Sequence, residues 1–201
     1  MLKNVKAADV HVSSEDIEHV LKTFPILNLV KDKSLVDKAV RLWCRTLVMS
    51  GYSKLEDIPN EQLGSYSLSS HCRAVANAAY KMAKVYESVY GAKINYDYVI
   101  VGAIVHDIDK PICYSYDEAG KLKLNQFGKV MPHGVYSSYA AYEEGLPSEI
   151  AAIPFCHSAH ASRVYSGTIE GMLVDTADKS IARTLNMKLT GNMPYKTGQG
   201  G

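Results

Sequence analysis

The sequence predicts an all-α fold that carries one small β-hairpin. Along most of the chain, apolar residues recur at the spacing of three and four that places them on one face of a helix. Gly and Pro residues stand where these segments end, and one short segment alternates polar and apolar residues as a strand does. With 201 residues, of which 47% are hydrophobic and 21% charged, the chain has the size and balance of one globular domain.

The first third of the chain predicts two helices followed by a loop. Ser13 or Ser14 is a suitable N-cap for the first helix, because acidic residues follow in its first turn. A second helix is expected over residues 34–50, with Gly51 at its end. Residues 52–67 are punctuated by Pro and Gly and predict a loop.

The middle of the chain predicts a long amphipathic helix and then a central one. The first is expected over residues 71–90, with Ser69 or Ser70 as its cap. The second is expected over residues 95–107, and its segment 99–105 is apolar on every side, as a helix buried all round would be. Gly102 within it allows a neighbouring element to approach closely.

The last part of the chain predicts the hairpin and three further helices. The hairpin is expected over residues 114–125, and the helices over 132–144, 148–159 and 168–186. We therefore expect three regions, which are a helical N-terminal extension at residues 1–65 that packs on the core, a helical domain at 66–190 and a flexible tail at 191–201.

The composition gives no strong sign of a nucleic-acid or membrane partner. Lys and Arg number 22 against 21 Asp and Glu, so the formal net charge is +1. No apolar run approaches the roughly 20 residues that span a bilayer, and the first residues lack the apolar core of a signal peptide. Four cysteines without a C-x-x-C pair suit reduced thiols. We expect a cytoplasmic protein, and the sequence leaves its oligomeric state open.

Histidines and aspartates stand near the ends of several predicted helices. Histidine is the commonest metal ligand, and an aspartate can bridge two cations. One histidine or aspartate alone is usually structural, so it is the ordered set that suggests a metal site. Cys72 and Cys156 adjoin two of these histidines and are expected to be buried thiols that face elsewhere. In chain order the candidates are His71, His106, Asp107, His133, His157 and then Asp175 or Asp178.

This order resembles the HD-domain superfamily of metal-dependent phosphohydrolases over roughly residues 69–183. The family signature is one His, then a His-Asp doublet, then a distal Asp, and its binuclear members add two histidines before the final Asp. The matching segments are SSHCRAVANAAYKMA, VIVGAIVHDIDKP, HGVYSSYAAYEEGLPSEIAAIPFCH and MLVDTADKS. The first 65 residues lie outside the resemblance, and Asp109 stands where the family commonly has Gly.

The resemblance implies a helical bundle with a binuclear metal centre. One metal would be held by His71, His106, Asp107 and Asp178, and a second by His133 and His157 with Asp107 as the bridge. Asp178 is favoured over Asp175 because the family ligand usually belongs to an Ala-Asp dipeptide. Two divalent or mixed-valent ions of iron, manganese, nickel or zinc suit such ligands.

The implied activity is hydrolysis of a phosphoester or phosphoanhydride in a small phosphorylated substrate such as a nucleotide. A metal-bridging hydroxide would be the nucleophile, with Asp107 at the centre of the catalytic group. Lys110 matches the Lys of the family's H-D-x-x-K pattern and would meet a phosphate. His160 is a candidate proton donor, and Arg163 and Lys179 are candidate ligands of a charged substrate.

Two other functions share this ligand set. Mixed-valent di-iron oxygenases on the same scaffold carry the same residues and cleave C–C or C–P bonds, which iron content and oxygen consumption would reveal. A non-catalytic binding module with the same fold is the other alternative. The presence of all six ligand positions argues against that module, because degenerate members commonly lose them.

Overall fold

The computed structural model of the chain describes residues 9–60, 66–158 and 164–191. It confirms the all-α class with one hairpin. The helices are α1 (Ser14–Thr23), α2 (Lys33–Ser50), α3 (Leu68–Tyr90), α4 (Tyr96–Val105), α5 (Lys110–Cys113), α6 (Gln126–Val130), α7 (Val135–Glu143), α8 (Ser148–Ala151), α9 (Ile153–His157) and α10 (Ile169–Thr190). Two 3-10 helices span Pro25–Leu29 and Leu55–Asp57, and strands β1 (Tyr114–Tyr116) and β2 (Leu122–Leu124) form the hairpin. Of the predicted tail, residues 192–201 lie outside the described residues.

Short polar side chains and glycines set the helix ends. Ser13 caps α1 in a capping box, in which its hydroxyl accepts the Asp16 N–H and the Asp16 carboxylate accepts the Ser13 N–H. Gly51 ends α2 in the left-handed conformation, as predicted. The predicted cap of α3 is wrong, because Ser67 rather than Ser69 or Ser70 accepts the N–H that starts the helix.

Helix α4 is the centre of the fold, as its apolar sequence predicts. Residues 99–105 are buried, and α2, α3, α8 and α10 all pack around them. Gly102 is needed for this packing, because a Cβ atom there would lie 2.4 Å from the Cδ1 atom of Ile153. This confirms the close approach that we expected at Gly102.

Helix α2 supports the chain on both sides of the turn that follows α4. The indole N–H of the buried Trp43 donates to the carbonyl oxygen of Ile104 at 3.2 Å. The hydroxyl of Thr46 donates to the carbonyl oxygen of Ile108 at 3.1 Å. Because these carbonyls flank residues 106–107, the extension holds in place the segment that carries the predicted His-Asp doublet.

The predicted helices over 132–144 and 148–159 are both shorter in the structure. The first begins only at Val135, because Gly134 has a φ of +87° that ends the preceding turn. The second is divided into α8 and α9, and Pro154 in the first turn of α9 has no N–H to continue the helical hydrogen bonds of α8. Among the described helices, none combines the length and apolarity needed to cross a membrane.

We expect Trp43→Ala to lower the free energy of unfolding by about 3–5 kcal/mol, because it leaves a large cavity beneath α4. Chemical denaturation monitored by circular dichroism would measure this loss. Val48→Ala on the same helix is the matched control, since Val48 is 53% exposed and its truncation should cost less than about 0.5 kcal/mol. Equal losses in the two variants would contradict a supporting role for Trp43.

Candidate metal centre

The six predicted ligands come from distant parts of the chain and meet at one end of α4. The first, His71, lies in the first turn of α3, and the His106-Asp107 doublet forms the turn directly after α4. A further turn, directly before α7, carries His133, and His157 ends α9. The last predicted ligand, Asp178, lies in the middle of α10.

The first group of ligand atoms lies on one side of Asp107. The Nε2 atom of His71 is 2.9 Å from Oδ1 of Asp178 and 3.5 Å from Oδ2 of Asp107. The Nε2 atom of His106 is 3.3 Å from the same Asp107 oxygen and 3.8 Å from the same Asp178 oxygen. Two histidines and two carboxylates therefore face one small volume.

The second group lies on the other side of Asp107 and uses its other oxygen. Oδ1 of Asp107 is 3.1 Å from Nε2 of His133 and 3.3 Å from Nε2 of His157. The two Nε2 atoms are 3.1 Å apart. The Asp107 carboxylate thus presents one oxygen to each pair of histidines, as a bridging ligand would.

The outer ring nitrogens show how the histidines are oriented. The Nδ1 atoms of His106 and His157 meet the backbone carbonyls of Ala103 at 2.7 Å and of Ile153 at 3.3 Å. A carbonyl accepts a hydrogen bond, so both rings donate from Nδ1 and turn Nε2 towards the centre. The Nδ1 atom of His71 is buried without a hydrogen-bond partner among the described residues.

This arrangement fits metal ions. The ligand atoms of His71, His106 and Asp178 lie within 4.8 Å of one another, and so do those of Asp107, His133 and His157. In the described part of the chain, Nε2 of His106 and Oδ2 of Asp107 are buried without a hydrogen bond of normal geometry. Apart from the ammonium of Lys110 and the histidine rings themselves, the described residues offer these atoms no cation, and imidazole and carboxylate groups are common metal ligands, so these residues can hold divalent metal ions.

The histidines and aspartates of the cluster shift one another's pKa values. Burial alone would raise the pKa of Asp178, but the neighbouring rings of His106 and His71 hold it below its usual range. Burial would likewise lower the pKa of His106, but the carboxylates of Asp107 and Asp178 raise it to about 10. Burial lowers the pKa of His157, which keeps that ring neutral and able to act as a ligand.

Lys110 lies inside the cluster. It begins α5, and its Nζ atom is 2.9 Å from Oδ2 of Asp107, with 8% of its side chain exposed. Burial acts to raise the pKa of Asp107, but the charges of His106 and Lys110 keep it well below its usual range. The predicted contact between Lys110 and a substrate phosphate would therefore take place next to the ligands.

Of the other residues predicted to act on the substrate, the structure describes only Lys179. Lys179 is 45% exposed and pairs with Asp175 at 2.7 Å, one helical turn from Asp178. The structure therefore places Asp178, and not Asp175, beside His71. His160 and Arg163 fall outside the residues that the structure describes.

The structure adds two residues to the site that the sequence did not assign to it. Asp109 is fully buried, and its Oδ1 atom lies 2.8 Å from Nδ1 of His133. Cys72, expected to face elsewhere, lies within 4.8 Å of the ligand atoms of His106 and Asp107. Burial raises the pKa of the Cys72 thiol well above its usual range, so the thiol stays protonated. Cys156 is half-buried rather than buried.

Comparisons with known proteins agree with this geometry. The chain is 34% identical over 114 residues to the dihydroneopterin 2',3'-cyclic phosphate phosphodiesterase of Methanocaldococcus jannaschii. That match covers 56% of this chain and 45% of the archaeal protein, so the chain spans less than half the length of that relative. No solved structure shows significant similarity.

A family model also matches the chain, and it describes the same family that the order of candidate ligands resembles. Its model, described as the HD domain, covers residues 68–183, which is more than half of the chain. This range runs from the start of α3 into α10 and so includes all the elements that carry the two groups of ligand atoms. The chain therefore belongs to the HD-domain family.

Proposed function

We propose that the protein is a metal-dependent phosphohydrolase that cleaves a phosphoester in a small phosphorylated substrate. The observation that carries this proposal is the Asp107 carboxylate, which presents one oxygen to each of two histidine pairs. The similarity to a cyclic phosphate phosphodiesterase supports a phosphodiester as the bond that is cleaved. Within that class, a cyclic phosphate is the substrate we would test first.

Two metal ions are the number that these ligands favour. His71, His106 and Asp178 would hold one ion with Oδ2 of Asp107, and His133 and His157 would hold the other with Oδ1. Imidazole and carboxylate ligands suit iron, manganese, nickel or zinc. Such ions, when bound, neutralise charge on phosphoryl oxygens and lower the pKa of coordinated water to about 7.

The side chains themselves position the substrate and exclude bulk water. His71, His106 and Asp107 are almost fully buried, whereas Asp178 and His133 keep 16% and 17% of their side chains exposed. The substrate would therefore enter from the side of Asp178 and His133. Lys110, held against Asp107, would then offer its ammonium to a phosphoryl oxygen as a fixed positive charge.

Three further roles stay predictions from the sequence. These are proton donation to the leaving group by His160 and binding of a charged substrate by Arg163 and Lys179. For Lys179, binding would require its ammonium to leave Asp175 or to share it with the substrate.

The proposed activity predicts hydrolysis that needs metal and does not need oxygen. Protein purified without added metal would be analysed for metal content and assayed with a 2',3'-cyclic nucleotide in air and under anaerobic conditions. We expect equal rates in both atmospheres, loss of activity after chelation and its return with added metal. Hydrolysis that persists without metal would contradict the proposal, as would a reaction that consumes oxygen, which would instead support the oxygenase alternative.

The assignment of Asp178 predicts that two neighbouring carboxylates differ in their effect on metal content. Asp178→Asn should weaken metal binding at the position of His71 and His106 by at least about 10-fold, because it removes a charged ligand. Asp175→Asn, one turn away, is the matched control and should bind metal as the unmodified protein does. Titration of metal-free protein with Mn²⁺ would measure both affinities, and a larger loss in Asp175→Asn would reverse the assignment.

The position of Lys110 predicts a loss of rate without loss of metal. Lys110→Met should retain both ions and lower kcat/KM by about 100-fold, because a fixed positive charge next to the phosphoryl group is removed. Lys123→Met in the hairpin is the control, since Lys123 is 60% exposed. Metal analysis and steady-state kinetics on the same preparations would separate the two effects. An unchanged rate would exclude the proposed contact between Lys110 and the phosphoryl group.

A further inference from the structure

Asp109 is a buried carboxylate at the edge of the metal centre, and both of its oxygens are engaged. Its Oδ1 atom accepts from Nδ1 of His133 at 2.8 Å, and its Oδ2 atom accepts the N–H of Gly134 at 2.6 Å. The N–H of Asp109 donates to the hydroxyl of Ser137 at 3.0 Å. A charged group buried this completely is stable only when it is well paired, as it is here.

The need for such a residue follows from where His133 lies. His106 and His157 end helices, and a carbonyl three or four residues earlier in the same segment accepts their Nδ1 proton. His133 instead lies in a turn between α6 and α7, and its Nδ1 atom meets a side chain rather than a backbone carbonyl. Asp109, 24 residues earlier in the chain, supplies the missing acceptor.

Asp109 also fixes the backbone that carries the ring of His133. Its Oδ2 atom accepts the N–H of Gly134, and α9 packs against the opposite side of Gly134. A Cβ atom on Gly134 would lie 2.3 Å from the carbonyl oxygen of Pro154, and the φ of +87° is itself unfavourable for other residues. The turn is therefore confined between Asp109 and Pro154, which leaves the ring of His133 little freedom.

We infer that Asp109 is a positioning residue that fixes the tautomer and orientation of His133 and thereby sets the affinity of the second metal position. This inference rests on the proposed two-metal site. A carboxylate that accepts the outer N–H of a ligating imidazole raises its basicity, and removal of such a partner typically costs 10- to 100-fold in metal affinity. Because the other histidines do not depend on Asp109, the effect should be confined to the position of Asp107, His133 and His157.

The first test is a titration of metal-free protein with Mn²⁺. We expect the unmodified protein to bind two ions per chain, and Asp109→Asn to bind one with unchanged affinity and the other about 10- to 100-fold more weakly. The Asp109 carboxylate accepts hydrogen bonds from His133 and Gly134. An amide has only one oxygen, and its N–H₂ group would face the other N–H donor, so it cannot replace both contacts. Asp175→Asn, at another carboxylate close to the cluster, is the matched control and should keep both affinities.

A double-mutant cycle separates positioning from general stability. If Asp109 acts through His133, Asp109→Asn should have no further effect on Mn²⁺ binding once His133→Ala is present. If Asp109 only stabilises the fold, the two losses should add. If Asp109→Asn does not fold, the same cycle would be measured with Asp109→Ala and His133→Ala.

A spectroscopic signature provides a second readout that does not depend on activity. Long-range ¹⁵N–¹H spectra of the Zn²⁺-loaded protein report which ring nitrogen of each histidine carries the proton. We expect His133 to show its proton on Nδ1, and this signal to change in Asp109→Ala while those of His106 and His157 stay unchanged.

The outcomes distinguish the two proposals. Fewer than two ions in the unmodified protein would overturn the two-metal site itself. Two ions in the unmodified protein, with equal affinities in Asp109→Asn, would overturn the role of Asp109 alone. Equal weakening of both positions would also overturn it, because Asp109 would then support the whole centre rather than His133.

Discussion

The buried carboxylate of Asp107 is the constraint on which the rest of the structure depends. A charge without solvent is costly unless partners surround it, and here four histidines and Lys110 do so. Those partners come from α3, α5, α9 and the turns next to α4 and α7, so the fold must bring all of these elements to one end of α4. The apolar sequence of α4 makes this possible, because it lets helices pack on every side.

The predicted N-terminal extension contributes to the same arrangement. Arg41 and Arg45 of α2 form ion pairs with Glu144 and Glu143 at the end of α7, and Arg45 is itself buried. The same helix holds the carbonyls on either side of the His106-Asp107 turn. Helix α2 therefore contacts the turn that carries His106 and Asp107 and the helix that follows His133, although no residue of α2 belongs to the set of candidate ligands.

Local sequence was sufficient to predict the long helices and the hairpin, and the family resemblance supplied the ordered set of candidate ligands. The helices and the hairpin depend on spacing and on residues close in the chain, as with the apolar run of α4, whereas the choice of Asp178 depended on the resemblance. What the sequence did not indicate depends on contacts between distant segments. The break between α8 and α9 coincides with Pro154, a local signal that the prediction of one helix over 148–159 did not use. Asp109, by contrast, meets His133 and Gly134 from 24 and 25 residues away. No periodicity encodes these contacts.

The order of the ligands along the chain has a consequence for biosynthesis. Asp107, His133 and His157 have all been translated before α10 leaves the ribosome, whereas the position next to His71 lacks a carboxylate of its own until Asp178 is made. Docking of α10 against α3 and α4 is thus the event that brings Asp178 next to His71. A nascent chain truncated before α10 would therefore carry every candidate ligand of the cluster except Asp178.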